Sequence, residues 1–431
     1  MLFQTTSAHE ELRAKIRSFA EEEIKPLAFL MDQNNEFPEE AVKKLGKLGW
    51  MGIPYPKEYG GAGLDALSYA IAVEELARVD GGTGVILSAH VSLGSWPIFA
   101  YGTEEQKKKY LVPLAKGEKI GAFGLTETNA GSDAGGTETT ALDKGDYYLL
   151  NGGKIFITNA PKADTYVVFA VTTPDIGTRG ISAFIVEKGW KGFEFGDHYD
   201  KMGIRSSSTA ELIFNDVKVP KENLLGKEGE GFKIAMKTLD MSRTWVGCGA
   251  VGIAQRAIDE AVAYGKQRIT FGKPILKNQG LQFMIADMEI RVETARQMVA
   301  HALKLMDAGL PYSRESAIAK CYAGDIAVQN ALDAIQSPVS LYEPVYTDGG
   351  DALYVMDQIS DKKNKESNWV EHLSLKDALS HLPERENHII QLRYLEGKTQ
   401  MEVANEIHIS QAQVSRLEKN ALKIMKNHLE A

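Results

Sequence analysis

Apolar side chains recur at helical spacing through the first 115 residues. Leu12, Ile16, Phe19, Ala20 and Ile24 share one helix face, and Pro26 marks its end or a kink. Glu39 and Glu40 after Pro38 read as a helix start, with carboxylates at the positive end of the dipole. A third helix is predicted from Leu64 to Ala77, and a fourth apolar run spans Thr83 to Phe99. Thr103-Glu-Glu-Gln106 has the form of a capping box, opening a helix through Leu111 and Leu114.

After Lys119 the period falls to two. Tyr147–Leu150, Lys154–Thr158, Thr165–Val171, Ile181–Val186 and Thr209–Phe214 are short β-rich runs, and Asn151-Gly152-Gly153 reads as the turn between the first two. These runs predict a small β-barrel or sandwich. Helical spacing returns with Phe232, Ala235, Leu239, Val246, Ile253, Ala257 and Tyr264. Two further helices follow, one through Met284, Met288, Leu303 and Leu305 and one from Ile318 to Ile335. Gly247-Cys-Gly-Ala-Val-Gly252 matches G-x-G-x-x-G, but it lies mid-helix with no strand before it, so the glycines read as close helix packing.

Pro338–Asn368 is linker-like in composition. Leu373–Leu382 and Pro383–Leu395 are predicted helices, the second ended by Gly397. Two capping boxes, Thr399–Glu402 and Ser410–Gln413, open two more helices across Ile407-His-Ile409, which makes a helix-turn-helix candidate. On the last helix Arg416, Lys419, Lys423 and Lys426 form a basic stripe opposite Val414, Leu417, Ala421 and Ile424.

Composition changes this picture little. Hydrophobic content of 44% and charged content of 25% suit a globular chain, and a net charge of −9 argues against a chain-wide nucleic-acid surface. Two cysteines, Cys248 and Cys321, suit a reduced, cytoplasmic protein. No signal peptide or membrane span is legible, and the histidines show no metal-ligand spacing, so no metal is expected.

One stretch carries chemistry. Phe123-Gly-Leu-Thr-Glu-Thr-Asn-Ala-Gly-Ser-Asp133 crowds hydroxyls and backbone donors into one turn, which fits a polar loop or a cradle for a ring or phosphate equally well. It resembles the flavin-binding signature of the acyl-CoA dehydrogenases, and the resemblance extends from about Glu10 to Gln336. Phe156-Ile157-Thr158-Asn159 resembles a second flavin-contacting stretch, with Phe156 standing where many members carry Trp. The resemblance implies FAD as cofactor, with Phe123, Leu125, Thr126, Phe156, Ile157 and Thr158 contacting the flavin and Ser132 contacting acyl-CoA. Asp240 and Arg243 would meet the CoA moiety, while Arg268, Phe271 and Gln279 would reach the adenosine diphosphate of a cofactor across a subunit interface. Members pass electrons to an electron-transfer flavoprotein and assemble as tetramers.

The family's glycine-rich turn and catalytic glutamate segment are absent after Gln336, and Ser242 stands at the alternative base position. No catalytic base is therefore assigned, and the bundle is expected to be truncated. Gln400-Met-Glu-Val-Ala404 and Ile409-Ser-Gln-Ala-Gln-Val-Ser-Arg-Leu-Glu-Lys419 instead resemble region 4 of sporulation sigma factors of the sigma-F and sigma-G group. That implies promoter −35 DNA read by Gln411, Gln413, Ser415, Arg416 and Lys419, with RNA polymerase core as partner. His408 departs from the glycine usual in this turn, and the regions that melt promoter DNA are missing.

The expected architecture is a multidomain α+β chain. It comprises a helical domain (1–115), a β domain (116–225), a truncated helical bundle (226–336), a linker or the end of sigma region 3 (337–373) and a helix-turn-helix all-α domain (374–431). Both resemblances overlap at Ala331–Gln336, which reads as the seam of a chimera between two incomplete proteins.

Overall fold

Pro26 does not end the first helix. The computed structural model describes residues 5–335, 344–346, 353–354 and 377–429. In it α1 (Ser7–Phe19) passes through a π-helical turn at Ala20–Ile24 into α2 (Lys25–Asn34). Pro26 falls just after this π-helical turn, at the start of α2, where the widened turn accommodates a residue that has no N–H to donate. The chain divides into two compact units, Met1–Ser337 and Pro338–Ala431.

The first unit begins with helices. Glu39 and Glu40 occupy the first turn of α3 (Glu39–Lys47) as expected. α4 (Ala66–Ala77) starts two residues later than the apolar pattern suggests, because Asp65 caps it by accepting the Ser68 amide at 2.9 Å. The run from Thr83 to Phe99 is helical but interrupted. α5 (Gly81–Ala89) gives way to a π-helical segment, His90–Ser95, and then to α6 (Trp96–Tyr101). The Thr103–Gln106 box forms, with both reciprocal bonds present, and opens α7 (Glu104–Gln106), which leads to α8 (Val112–Ala115).

The strands are β1 (Gly121–Gly124), β2 (Thr140–Asp143), β3 (Tyr147–Thr158), β4 (Thr165–Val171), β5 (Ile181–Glu187), β6 (Phe193–His198), β7 (Thr209–Pro220) and β8 (Leu224–Leu225). They form one sheet of eight strands in the order β6-β7-β3-β2-β4-β5-β8, with β1 parallel to β4. The path ends at β6 and β8 and does not close, so the expected barrel is an open sheet. β4 and β5 are buried along nearly their whole length, which is why they read as unbroken apolar runs.

Asn151-Gly152-Gly153 is not a hairpin turn. β3 runs straight through it, and the register against β7 shifts there instead. Gly152 has φ +136°, and a Cβ on it would lie 2.7 Å from the Thr139 hydroxyl. The actual turn joins β2 to β3 at 144–146, where Lys144 N–H donates to the Tyr147 carbonyl and Gly145 takes φ +89°.

α9 (Gly231–Gln267) spans 37 residues and precedes a small hairpin, β9 (Ile269–Thr270) with β10 (Lys273–Pro274). α10 (Gln279–Asp307) and α11 (Ser313–Ile335) complete the described bundle. The G-x-G-x-x-G stretch lies inside α9, as expected, and a Cβ on Gly252 would collide with the Glu74 carbonyl of α4. Tyr69 and Trp245 meet edge to face across the same contact. A buried charge cluster adds direction: Arg13 and Arg17 both donate to Glu75, and Arg296 reaches Glu74 at 3.1 Å. On α11, Val328, Leu332 and Ile335 are exposed.

In the second unit Glu384–Ile390 continues as a π-helical turn to Leu395, and Gly397 follows at φ +72°. Gln400–Glu406 and Gln411–Leu429 are the paired helices, and both capping boxes form. His408 takes φ +54°, the left-handed conformation for which glycine is the easier residue. Pro344–Tyr346 pairs with Leu353–Tyr354 inside the stretch read as linker. The predicted helix Leu373–Leu382 is described from 377 on, and 373–376 lie outside the described residues.

Candidate functional site

β1 delivers the chain to a turn that is tied to the end of β3. Ile155 N–H donates to the Thr126 carbonyl at 2.9 Å, and Glu127 and Ala130 exchange backbone bonds that tighten the turn. A cleft of about 480 Å³ opens between this turn, the end of β3 and the first turns of α9. Phe123, Leu125, Thr126, Ser132, Phe156, Ile157 and Thr158 all line it, so the structure brings both predicted stretches to one place. Phe232, Met236 and Leu239 of α9 supply an apolar wall that the sequence reading did not assign. Their helical spacing marks one face of α9 but says nothing of which partner that face meets.

The donor set suits a flat ring with a polar edge. The hydroxyls of Thr126, Ser132 and Thr158 take no partner in the hydrogen bonds among the described residues, whereas Leu125 and Ile157 are buried. Phe156 adopts φ +59° at the register shift in β3, which turns its ring outward. It is 59% exposed at the cleft and tilts against Tyr199 at 4.7 Å. An aromatic held in a strained conformation beside unengaged hydroxyls fits a cofactor such as flavin better than it fits packing.

Behind the turn lies an ion pair missed at the sequence level. Lys154 is fully buried in β3, and its ammonium lies 2.5 Å from the Glu127 carboxylate. Burial pushes Lys154 down to about 8, opposed by the Glu127 charge. Burial works against the Glu127 carboxylate too, but Lys154 and the bonds from Thr139 and Glu138 hold it below the usual range. The available signal was a lysine inside an apolar strand.

Other predicted residues do not join the cleft. Arg268, Phe271 and Gln279 lie exposed around the β9–β10 hairpin, with Phe271 97% exposed at φ +52°. Asp240 and Arg243 pair with each other at 3.4 Å, and Asp240 also accepts the Ser313 hydroxyl at 2.8 Å. Asp240 therefore sits on the seam between α9 and α11, with Arg243 beside it on α9. Ser242 is buried, and its hydroxyl donates to the Leu239 carbonyl at 3.3 Å. Asp133 is the one carboxylate among the residues lining the cleft.

In the second unit Gln411, Gln413, Arg416 and Lys419 are exposed along one helix and Ser415 is half-buried. Two of them are engaged. Gln413 caps Ser410, and Gln411 donates to Gln400 at 2.7 Å. Glu418, buried, joins the helices by accepting from Arg393 at 3.2 Å and Gln400 at 2.6 Å. Asp377, His381 and His428 gather within 4.8 Å, a grouping that their sequence spacing hides.

Sequence models of the N-terminal, middle and C-terminal domains of acyl-CoA dehydrogenase match residues 6–118, 122–217 and 229–337. A model of sigma-70 region 4 matches residues 378–427. The short-chain-specific acyl-CoA dehydrogenase of Clostridium acetobutylicum is 56% identical over 336 residues, 78% of this chain and 89% of that protein. Butyryl-CoA dehydrogenase from Megasphaera elsdenii superposes with a TM-score of 0.77 at 47% identity, over 78% of this chain and 89% of that one. A chain from a study of the electron transferring flavoprotein of Acidaminococcus fermentans gives 0.77 at 54% identity, over 78% and 88%.

Proposed function

Because this chain belongs to the acyl-CoA dehydrogenase family, we propose that residues up to Gln336 form a flavin- and acyl-CoA-binding scaffold that lacks its catalytic base. The observation that carries it is the single cleft shared by Thr126, Ser132 and Thr158, whose hydroxyls have no partner there. FAD is the cofactor, and when bound it supplies the hydride acceptor. Thr126 and Thr158 would hold the ring through their hydroxyls and Phe156 through its aromatic side chain, while buried Leu125 and Ile157 would keep water out. Ser132, exposed at the mouth, offers a hydroxyl to a short-chain acyl-CoA.

Arg268, Phe271 and Gln279, exposed on this chain, suit contact with a cofactor held by a second subunit of a homo-oligomer. An arginine fork there matches phosphate geometry. Asp240 and Arg243 serve the CoA moiety, and an electron-transfer flavoprotein takes the electrons. Proton abstraction from the substrate needs a base within hydrogen-bond reach. Ser242 cannot act as one, and the segment that carries the family's glutamate is replaced after Gln336. Exposed Val328, Leu332 and Ile335 suit a bundle that is short of its last helices. The test is anaerobic titration of purified chain with butyryl-CoA. Yellow protein whose flavin absorbance does not bleach supports the reading, and bleaching at a rate typical of the family overturns it.

A second reading has its own support. The capped helix pair with an exposed Arg416 and Lys419 suits −35 promoter recognition by a sporulation sigma-type region 4, with RNA polymerase core as partner. Domain limits follow the sequence reading: 1–115, 116–225, 226–336, 337–373 and 374–431. The joining of two incomplete proteins near Gln336 makes the chain a chimera. Both thiols are free, which suits a reducing cytoplasm.

A further inference from the structure

Lys154 and Glu127 do not line the cleft, yet the turn, loop and strand that build its sheet side are anchored to them. The Lys154 ammonium donates to the Leu125 carbonyl at 3.2 Å as well as to Glu127. The Glu127 carboxylate accepts the Glu138 amide at 2.7 Å and the Thr139 amide at 3.2 Å. One residue along β3 from Lys154, Ile155 N–H holds the Thr126 carbonyl. Three pieces of chain meet here: the Leu125–Thr126 turn, both ends of the loop that carries Ser132, and the strand that ends in Phe156 and Thr158. An apolar pair of similar volume would fill this space without the cost of desolvating two charges. What an apolar pair would lack is direction, because charge-assisted hydrogen bonds fix the backbone groups they reach.

We propose that the Lys154–Glu127 pair is the positioning device of the cofactor cleft. It fixes the Leu125–Thr126 turn against β3 and closes the Ser132 loop at its base. The hydroxyls of Thr126, Ser132 and Thr158 thereby face FAD and acyl-CoA in one geometry. This rests on the flavoprotein reading above.

The test uses the full chain with Lys154→Met, Glu127→Gln and the double variant. The readouts are FAD dissociation by flavin fluorescence, visible circular dichroism of the bound flavin, and hydrogen exchange of peptides covering 125–139 and 155 without FAD. Each single variant is expected to weaken FAD binding by about tenfold or more, since a small misplacement of contacting groups is costly. The flavin dichroism should change shape, and amides of Glu138, Thr139 and Ile155 should exchange faster. The double variant should be no worse than the worse single, as for two groups acting as a unit. If Lys154→Met does not fold, Glu127→Gln carries the test, because it removes the charge from the pair while nearly keeping the side chain's volume. Folded variants that keep the unmodified dissociation constant and dichroism overturn the inference and leave the functional reading intact. No FAD bound by the unmodified chain removes the functional reading, and the inference falls with it.

Discussion

The imidazole of His90 bridges the helical domain to the first strand of the sheet: its Nδ1 accepts the Gly121 amide at 2.9 Å. Its Nε2 donates to the Leu114 carbonyl at 3.1 Å, so the neutral ring satisfies two elements at once. β1, which starts at Gly121, carries Phe123 and leads into the turn at Leu125, so this ring sets the level at which the cleft begins.

Burial pushes His90 down to about 4, against the support of the Leu114 and Met51 backbone bonds. In the unfolded chain a histidine takes its proton near pH 6.5. The unfolded state therefore binds more protons between the two values, and stability falls as pH falls through that window. The expected loss between pH 7 and 5 is roughly 2 kcal/mol. Urea unfolding of the full chain at both values checks this, and His90→Gln should flatten the difference.

Gly94, on the π-helical segment, packs directly on β1. A Cβ there would lie 2.7 Å from the Ala122 amide nitrogen. Gly94→Ala must push β1 or the segment aside, and overpacking of this kind costs about 1–3 kcal/mol. The thermal midpoint should fall and FAD affinity with it. An unchanged midpoint would show that the contact yields freely.

Ser242 lies three residues beyond Leu239, one turn along the same helix face, and Leu239 lines the cleft. Ser242→Glu places a longer side chain carrying a carboxylate there. The variant is expected to bleach bound flavin slowly with butyryl-CoA, while the unmodified chain does not. Its stability should fall, because a carboxylate replaces a buried hydroxyl. A variant that binds flavin and stays inert would trace the defect to misplaced helices.

In the second unit Arg416 is exposed while Gln413 is engaged as a cap. Arg416→Ala should weaken binding to a −35 duplex by about 1–3 kcal/mol. Gln413→Ala should lower helix stability by about 0.5–2 kcal/mol as well as affinity. Salt titration of both variants separates base reading from phosphate attraction. Equal affinity of Arg416→Ala and the unmodified chain would remove Arg416 from the interface.

The chain's local chemistry was legible without coordinates. Helical spacing, the three capping boxes at Thr103, Thr399 and Ser410, and the misleading glycine pattern inside α9 depend on near neighbours in sequence. So did the two cleft stretches, each of which is a continuous run whose residue types match a family pattern. Tertiary structure decided what lies far apart. Whether Asn151-Gly152-Gly153 turns or bulges depends on Thr139 and β7, which face it across the sheet. Whether the sheet closes depends on where its edge strands find partners, and β8 is too short to extend it. The Phe232, Met236 and Leu239 wall and the Glu127–Lys154 pair, separated by 27 residues, acquire meaning only in contact. Burial makes Lys154, read from sequence only as the start of a strand, the centre of a hydrogen-bond network, because desolvation and pairing are properties of the packed chain and not of the residue.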